Sequence, residues 1–155
     1  MEECCEPKRS VKAFCPECKK QGKPVQKITL ESLLKEPGKI GDRACWFCAT
    51  RECHTVYFSL DGISRFQKAD LKVRVGIKET EDPMPLCYCF GWDCKRVQNE
   101  IRQTGKSTAV QSITKEVKAG NCFCERSNPQ GTCCLGNVSK AVKEAFALYP
   151  EARKP

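Results

Sequence analysis

Fourteen cysteines in 155 residues, most of them in closely spaced groups, constrain this chain more than any other feature. In a short secreted chain, such a cysteine content would indicate a disulfide framework. The first residues, MEECCE, have neither a basic start nor an apolar run, so we predict no signal peptide, and no segment approaches membrane-spanning length. We therefore predict a cytoplasmic chain without membrane insertion. Because the cytosol keeps thiols reduced, clustered cysteines there favour metal binding over disulfides.

The densest cysteine group lies in the carboxyl-terminal half. Its members are Cys87, Cys89, Cys122, Cys124, Cys133 and Cys134. All six thiols lie at the ends of short predicted helices. This arrangement suits an iron-sulfur cluster, whose irons require four thiolates and whose negative charge is stabilised by backbone N–H groups and the positive ends of helices.

Capping signals define two of these helices. Asp93 is a predicted N-cap, and Gly105 lies where a left-handed C-cap residue would end the first helix. Thr108 and Gln111 have capping-box spacing for a second helix, which Gly120 ends. Cys122 and Cys124 follow Gly120 directly, so the end of the second helix is expected to position them.

The third predicted helix opens at the pair Cys133-Cys134 and ends before Pro150. Cys134 lies four residues before Val138 and shares its apolar face, whereas Cys133 lies four residues before the polar Asn137. We therefore assign the inward, ligating role to Cys134. No argument of this kind separates Cys122 from Cys124, because residues two apart in extended chain point the same way.

A second metal signal lies in the amino-terminal half. Cys15-Pro-Glu-Cys18 is typical of a tight knuckle in which two sulfurs face one metal ion. Candidates for the two remaining ligand positions are Cys45, Cys48, Cys53 and His54. Four thiolates around one zinc leave no open position, so the site is predicted to be structural.

The segments around this site resemble strands. Residues 25–30 form one candidate, and residues 56–60 and 63–66 flank Asp61-Gly62, the signature of a two-residue hairpin. The charged residues 68–82 are predicted to link the two halves.

Two stretches carry a resemblance to a known family. Cys87-x-Cys89, two helices and a distal cysteine pair resemble the bacterioferritin-associated ferredoxin (Bfd-like) [2Fe-2S] domain. The phrases NCFCERSNPQGTCCLGNV and FQKADLKVRVGIKE resemble the amino-terminal half of CopZ-type copper chaperones, and FCATRECHTVYF resembles the zinc domain of that group. The resemblance covers nearly the whole of this chain but only part of the family's full-length protein, in which a copper-binding domain with an M-x-C-x-x-C loop usually follows.

The resemblance implies an α+β fold, with a small zinc-stabilised β-rich domain followed by a helical Bfd-like domain. The expected boundaries are a flexible tail at 1–12, the zinc-binding domain with its linker at 13–82, the [2Fe-2S] domain at 83–149, and a tail at 150–155.

The resemblance also implies the ligand sets. The expected [2Fe-2S] ligands are Cys87, Cys89, Cys124 and Cys134, with Cys122 and Cys133 as alternates. The expected Zn²⁺ ligands are Cys15, Cys18, Cys48 and Cys53, with Cys45 and His54 as alternates. A four-thiol zinc site in place of the iron is the alternative for the second half.

Two functions from different classes follow. One is electron transfer in support of copper or heavy-metal handling, such as reduction of Cu(II) to Cu(I) for a transporter, a copper-binding domain or another redox partner. The other is a metal-binding chaperone or sensor in which the cluster is structural or regulatory and Cys4-Cys5 holds Cu(I) or another soft ion. The single histidine and the absence of nucleotide-binding or nucleophile motifs argue against hydrolytic or acid-base catalysis. The net charge of +8 is spread along the chain without a dense basic run, which argues against nucleic-acid binding.

Overall fold

The computed structural model describes residues 11–150. The amino-terminal half is built on a four-stranded antiparallel sheet in the order β1-β2-β3-β4. Its strands are β1 (Lys23–Val25), β2 (Cys45–Phe47), β3 (Thr55–Ser59) and β4 (Arg65–Gln67). Helix α1 (Lys27–Leu33) follows β1. Cys4 and Cys5 lie outside the described residues.

The carboxyl-terminal half contains a two-stranded ribbon and four helices. The ribbon pairs β5 (Pro85–Cys87) with β6 (Trp92–Asp93). The helices are α2 (Cys94–Thr104), α3 (Ala109–Lys118), α4 (Cys124–Ser127) and α5 (Leu135–Leu148). The predicted α+β class is confirmed. No helix within residues 11–150 has the length and apolar character needed to cross a bilayer.

The central strands of the sheet are buried on both faces, and each face belongs to a different apolar cluster. Phe47 pairs with Tyr57, and both pack in the main core with Val25. Trp46 pairs with Phe58, and both pack in a second cluster with Cys15, Cys18, Cys48 and Cys53. Because successive strand residues point to opposite faces, the sheet separates the main core from these cysteines.

Two predictions about the first half were wrong in detail. The predicted strand over residues 25–30 ends at Val25, and α1 begins at Lys27. Thr29, Leu30 and Leu33 are all buried, with the three- and four-residue spacing of a helix face, so tertiary packing outweighs the β propensity of Ile28 and Thr29.

The predicted two-residue turn at Asp61-Gly62 is a four-residue loop. Ser59 N–H donates to the carbonyl of Ser64 at 2.9 Å, which leaves residues 60–63 unpaired between the strands. The Asp61 carboxylate accepts from the backbone N–H of Ile63 at 2.9 Å and from the Ser59 hydroxyl, and these side-chain bonds shape the wider loop.

The charged segment 68–82, predicted to link the two halves, packs against the first half. Leu71 and Val75 are buried in the main core, and Leu71 forms an isolated β-bridge with Leu34. Lys78 is only 2% exposed. Since this segment packs against the first half and then leads into β5, it joins the two halves tightly.

The helix boundaries near the second cysteine group follow the predicted caps. The Asp93 carboxylate accepts from Arg96 N–H at 2.7 Å, and Gly105 ends α2 at φ 80°. Thr108 is the N-cap of α3, but the predicted capping box with Gln111 is absent, because the Thr108 hydroxyl and N–H both donate to the Glu100 carboxylate. Helices α2 and α3 pack against α5, which begins at Leu135, directly after the predicted opening pair Cys133-Cys134.

Candidate metal centres

The first thiol group begins at the knuckle formed by Cys15 and Cys18. Lys19 N–H donates to the carbonyl of Cys15, and Cys15 N–H donates to the carbonyl of Lys20, both at 2.9 Å. Lys19 has φ 67°, an uncommon left-handed conformation that closes the turn. These bonds make the chain reverse direction and leave both thiols on one side of it.

The other two thiols come from the loop that follows β2. Cys48 N–H donates to the carbonyl of Val56 at 2.8 Å, and Cys53 N–H donates to the carbonyl of Thr50 at 3.2 Å. The loop is therefore anchored to β3 at one end and turns back on itself before Cys53.

The four predicted zinc thiols meet at one point. Sulfur-to-sulfur distances are 3.7 Å between Cys15 and Cys53 and 3.6 Å between Cys18 and Cys48. All four sulfurs lie within 4.8 Å of one another. A tetrahedral zinc with Zn–S bonds of about 2.3 Å requires sulfurs about 3.8 Å apart, so the donor set fits a closed Zn(Cys)₄ site.

The protein environment shifts the pKa values of two of these thiols in opposite directions. Burial works to raise the pKa of Cys18, but hydrogen bonds from the Thr50 hydroxyl, the Lys20 N–H and Cys48 outweigh it and lower that pKa to about 6. Burial dominates at Cys53 and raises its pKa to about 12. A divalent cation bound by the thiols would favour the thiolate form of both.

The two alternates for the zinc site point elsewhere. Cys45 is three residues before Cys48 in extended chain and is buried in the main core on the opposite face of the sheet. The His54 side chain is 77% exposed and contacts the Glu17 carboxylate at 3.1 Å. Hydrogen bonds from His54 and Thr55 lower the pKa of Glu17 to about 2. Neither alternate belongs to the four-thiol group.

The second thiol group draws on three separate parts of the chain. Cys87 ends β5, Cys89 lies in the turn before β6, Cys124 is the first residue of α4, and Cys134 is the N-cap of α5. The Cys89 and Cys124 sulfurs are 3.6 Å apart. Cys134 is in hydrogen-bonding contact with both Cys124 and Cys87. The structure thus brings together the four residues expected as iron-sulfur ligands.

Hydrogen bonds with Cys134 lower the pKa values of Cys124 and Cys87. Its hydrogen bonds lower the pKa of Cys124 to about 6 and that of Cys87 to about 7, in both cases against the effect of burial. The pKa of Cys134 itself is raised by the same two hydrogen bonds and by burial. These hydrogen bonds therefore favour the proton on Cys134 and the thiolate form of Cys124 and Cys87.

Two polar groups near the start of α4 contact the Cys89 sulfur. Phe123 N–H donates to the Cys89 sulfur at 3.2 Å, and the Ser127 hydroxyl lies 3.2 Å from the same sulfur. Ser127 was not predicted from the sequence, although its position three residues after Cys124 places both on one side of a helical turn. Thr50, 3.4 Å from the Cys18 sulfur, was also missed, and only the folded loop reveals it.

The remaining cysteines of this half differ in exposure. Cys133 is exposed, whereas Cys134 is 1% exposed, which agrees with the helix-face argument for their orientation. Cys122 is half-buried, whereas Cys124 is 3% exposed, a difference that the extended-chain argument left open. Cys94 is half-buried at the start of α2.

Three comparisons with known proteins agree with this geometry. Residues 12–72, which include all four thiols of the first group, match the CopZ-type family model described as a zinc-binding domain. The copper chaperone CopZ of Archaeoglobus fulgidus is 39% identical over 129 residues, covering 81% of this chain and 60% of that protein. This chain thus spans about 60% of the length of that curated relative.

The crystal structure of the Archaeoglobus fulgidus CopZ N-terminal domain superposes with a TM-score of 0.70 at 35% identity. The match covers 82% of this chain and 95% of that domain. The chain therefore belongs to the family of the CopZ N-terminal domain and carries that family's zinc-binding domain.

Proposed function

We propose that this chain is a zinc and iron-sulfur protein that transfers single electrons in support of copper or heavy-metal handling. In this proposal residues 13–82 form the zinc-binding domain, and residues 83–149 form a Bfd-like domain. The proposed zinc ligands are Cys15, Cys18, Cys48 and Cys53. The proposed ligands of a [2Fe-2S] cluster are Cys87, Cys89, Cys124 and Cys134.

The observation that carries the proposal is the convergence of these last four thiols. Within residues 11–150, the zinc thiols are the one group of three or more ligating side chains whose ligand atoms all lie within 4.8 Å of one another. The second group is less compact than a single-ion site, although Cys89 and Cys124 form a close pair. A cluster of two irons, each holding its own pair of thiolates, suits a more extended set of four sulfurs.

The surroundings of the second group also support iron-sulfur chemistry. Hydrogen bonds to cluster sulfurs and local charge are the main means by which a protein sets the potential of such a cluster. The N–H of Phe123 supplies one such donor at Cys89, and the Ser127 hydroxyl lies 3.2 Å from the same sulfur. Phe123 is 45% exposed, so this edge of the thiol group is near solvent and accessible to a partner protein.

A bound [2Fe-2S] cluster would supply one-electron chemistry, accepting an electron from a cytoplasmic reductant and giving it to Cu(II) to form Cu(I). The choice of copper rests on the relative, which is named a copper chaperone. The proposed partners are accordingly a metal transporter, a copper-binding domain or another redox protein, and the proposed location is the cytoplasm.

The test is a single-turnover copper reduction assay. Anaerobically purified protein is reduced, freed of reductant and mixed with Cu(II) in the presence of a chromophoric Cu(I) chelator. We expect about one Cu(I) per cluster, formed as the visible spectrum returns to that of the oxidised cluster. Cys133→Ala, which retains the buried thiols, is the control for direct reduction by exposed thiols. The proposal would be contradicted if the wild-type protein formed Cu(I) without a change in its cluster spectrum and Cys133→Ala formed none.

The exposure of Cys133 favours a second candidate, a metal-binding chaperone or sensor that uses spare thiols. Thiolate is a soft ligand suited to Cu(I). Stoichiometric Cu(I) uptake by the oxidised protein, without loss of zinc or iron and without change in the cluster spectrum, would support this second function over electron transfer.

A further inference from the structure

A buried lysine contacts the loop of the first thiol group. Lys78 is 2% exposed, and its ammonium group donates to the carbonyl of Cys53 at 3.1 Å and to the carbonyl of Thr50. Both acceptors belong to the loop that presents Cys48 and Cys53. A buried ammonium is costly unless it is paired and hydrogen-bonded, so its position requires a reason.

Four thiolates around one Zn²⁺ leave a net charge of −2 at the first site. Lys78 is a buried cation on the loop that carries two of those thiols, so its charge partly compensates the charge of the metal-loaded site. Its two hydrogen bonds also hold the loop in the conformation that presents Cys53. Groups of this kind, which contact metal ligands and not the metal, commonly change metal affinity by about 10-fold to 100-fold when removed.

Residues 74–76 of the same segment contact β5 and the turn that carries the second thiol group. Gly76 lies so close to β5 that a Cβ atom there would be 1.7 Å from the carbonyl oxygen of Pro85. Gly76 N–H donates to the Tyr88 hydroxyl at 2.9 Å, and this hydroxyl donates to the carbonyl of Arg74. Tyr88 separates Cys87 from Cys89, so residues 74–78 connect the zinc loop directly to the loop of the second site.

We propose that Lys78 is a positioning residue through which zinc occupancy controls the conformation of the Cys87–Cys89 loop. Zinc orders the loop over residues 48–53, the ordered carbonyls bind the Lys78 ammonium, and the fixed segment 74–78 holds Tyr88 and its two flanking cysteines. The inference uses only the positions of the thiols and the zinc site, so it does not depend on iron at the second group.

Lys78→Met tests the proposal, because methionine keeps most of the buried stem and removes the charge and both hydrogen bonds. Lys72→Met is the matched control, since Lys72 is exposed on the same segment. Zinc release to a chromophoric chelator should be about 10 to 100 times faster in Lys78→Met than in Lys72→Met. In the Co(II)-substituted protein, the thiolate-to-metal charge-transfer band should move to longer wavelength only in Lys78→Met, because a nearby cation no longer stabilises the sulfur electrons.

Hydrogen–deuterium exchange then measures the connection to the second site. In zinc-loaded Lys78→Met, amides of residues 84–91 should exchange faster than in Lys72→Met, while amides of α5 remain protected. Unchanged exchange over residues 84–91, or zinc release within twofold of the control, would overturn the proposal. If Lys78→Met does not fold, the wild-type chain decides: residues 84–91 must exchange faster after zinc removal, and no response to zinc would contradict the inference.

Discussion

The backbone N–H of Phe123 donates to the sulfur of Cys89 at 3.2 Å, although the two residues are 34 apart in the chain. This bond joins the turn after β5 to the start of α4, and it is accompanied by the 3.6 Å contact between the Cys89 and Cys124 sulfurs. The start of α4 therefore supplies both a thiol, Cys124, and a sulfur-directed donor, the Phe123 N–H, to the same site, whereas Cys122 is only half-buried.

Paired cysteine variants test this assignment. Cys124→Ala and Cys134→Ala should abolish the visible [2Fe-2S] absorption, because each removes a buried thiol of the second group. Cys122→Ala and Cys133→Ala should leave absorption nearly unchanged, and they are the matched controls on the same two segments. Spectra and iron content of anaerobically purified variants provide the measurement. A bleached Cys133→Ala beside an intact Cys134→Ala would reverse the assignment.

The zinc site predicts a loss of folding in the first half. Cys53→Ser should release zinc and unfold the sheet of β1 to β4, because structural zinc supplies roughly 10 to 16 kcal/mol of apparent binding energy in small peptides. His54→Gln is the neighbouring control and should retain zinc, since that side chain points to Glu17. Zinc content and thermal melting distinguish the two. A Cys53→Ser protein with one tightly held zinc and an unchanged melting curve would exclude Cys53 as a ligand.

Alanine substitutions at Gly76 and Gly136 should change the stability of the fold in opposite directions. Gly76→Ala should destabilise the fold by about 1 to 3 kcal/mol or more, because its new methyl group overlaps the Pro85 carbonyl. Gly136→Ala, in open space on α5, should stabilise it by about 0.5 to 1 kcal/mol through helix propensity. Denaturant unfolding measures both changes. Equal stability of the two variants would mean that the approach of Gly76 to β5 is not maintained in solution.

The contact between Glu100 and Thr108 predicts an acid-sensitive contribution to stability. Burial works to raise the pKa of Glu100, but hydrogen bonds from the Thr108 hydroxyl and N–H outweigh it and lower the pKa. The contribution is therefore present above the ordinary glutamate range and is lost as pH falls through the lowered pKa. Because Glu100 is only half-buried and its hydrogen bonds are partly screened by solvent, Glu100→Gln should cost only about 0.5 to 1 kcal/mol at neutral pH, with a smaller difference in acid.

Chemical denaturation of Glu100→Gln at several pH values measures this contribution, with the exposed Glu31→Gln as the control for loss of one charge. The difference between the two variants should shrink on acidification. A difference that stays constant down to the acid limit of folding would show that the Glu100 carboxylate makes no charged hydrogen bond to α3.

Local signals in the sequence were sufficient for α2, whereas the short helix α4 was not predicted. Asp93 and Gly105 cap α2 as predicted, because an N-cap carboxylate and a left-handed glycine act within one turn of the chain. The orientation of Cys134 followed from the same short-range reasoning about a helix face. Thr108 shows the limit: its hydroxyl donates to Glu100, a partner on the preceding helix.

Contacts distant in sequence explain the features that could not be predicted. The Thr29 hydroxyl donates to the carbonyl of Glu125 at 2.6 Å, so α1 lies against α4 from the other half of the chain. The Tyr57 hydroxyl donates to the carbonyl of Pro129 in the loop before Cys134. Whether Cys45 or Cys48 faces the zinc site likewise depends on which face of β2 packs against the Cys15–Cys18 knuckle. Strand periodicity alone does not identify that face.

The central claim is that this chain holds one zinc at the first thiol group and a [2Fe-2S] cluster at the second. Zinc, iron and acid-labile sulfide analysis of the anaerobically purified protein, together with its optical spectrum, tests it most directly. The account predicts about one zinc, two irons and two sulfides per chain, with visible absorption that bleaches on reduction. About two zincs per chain, with neither sulfide nor visible absorption, would contradict it.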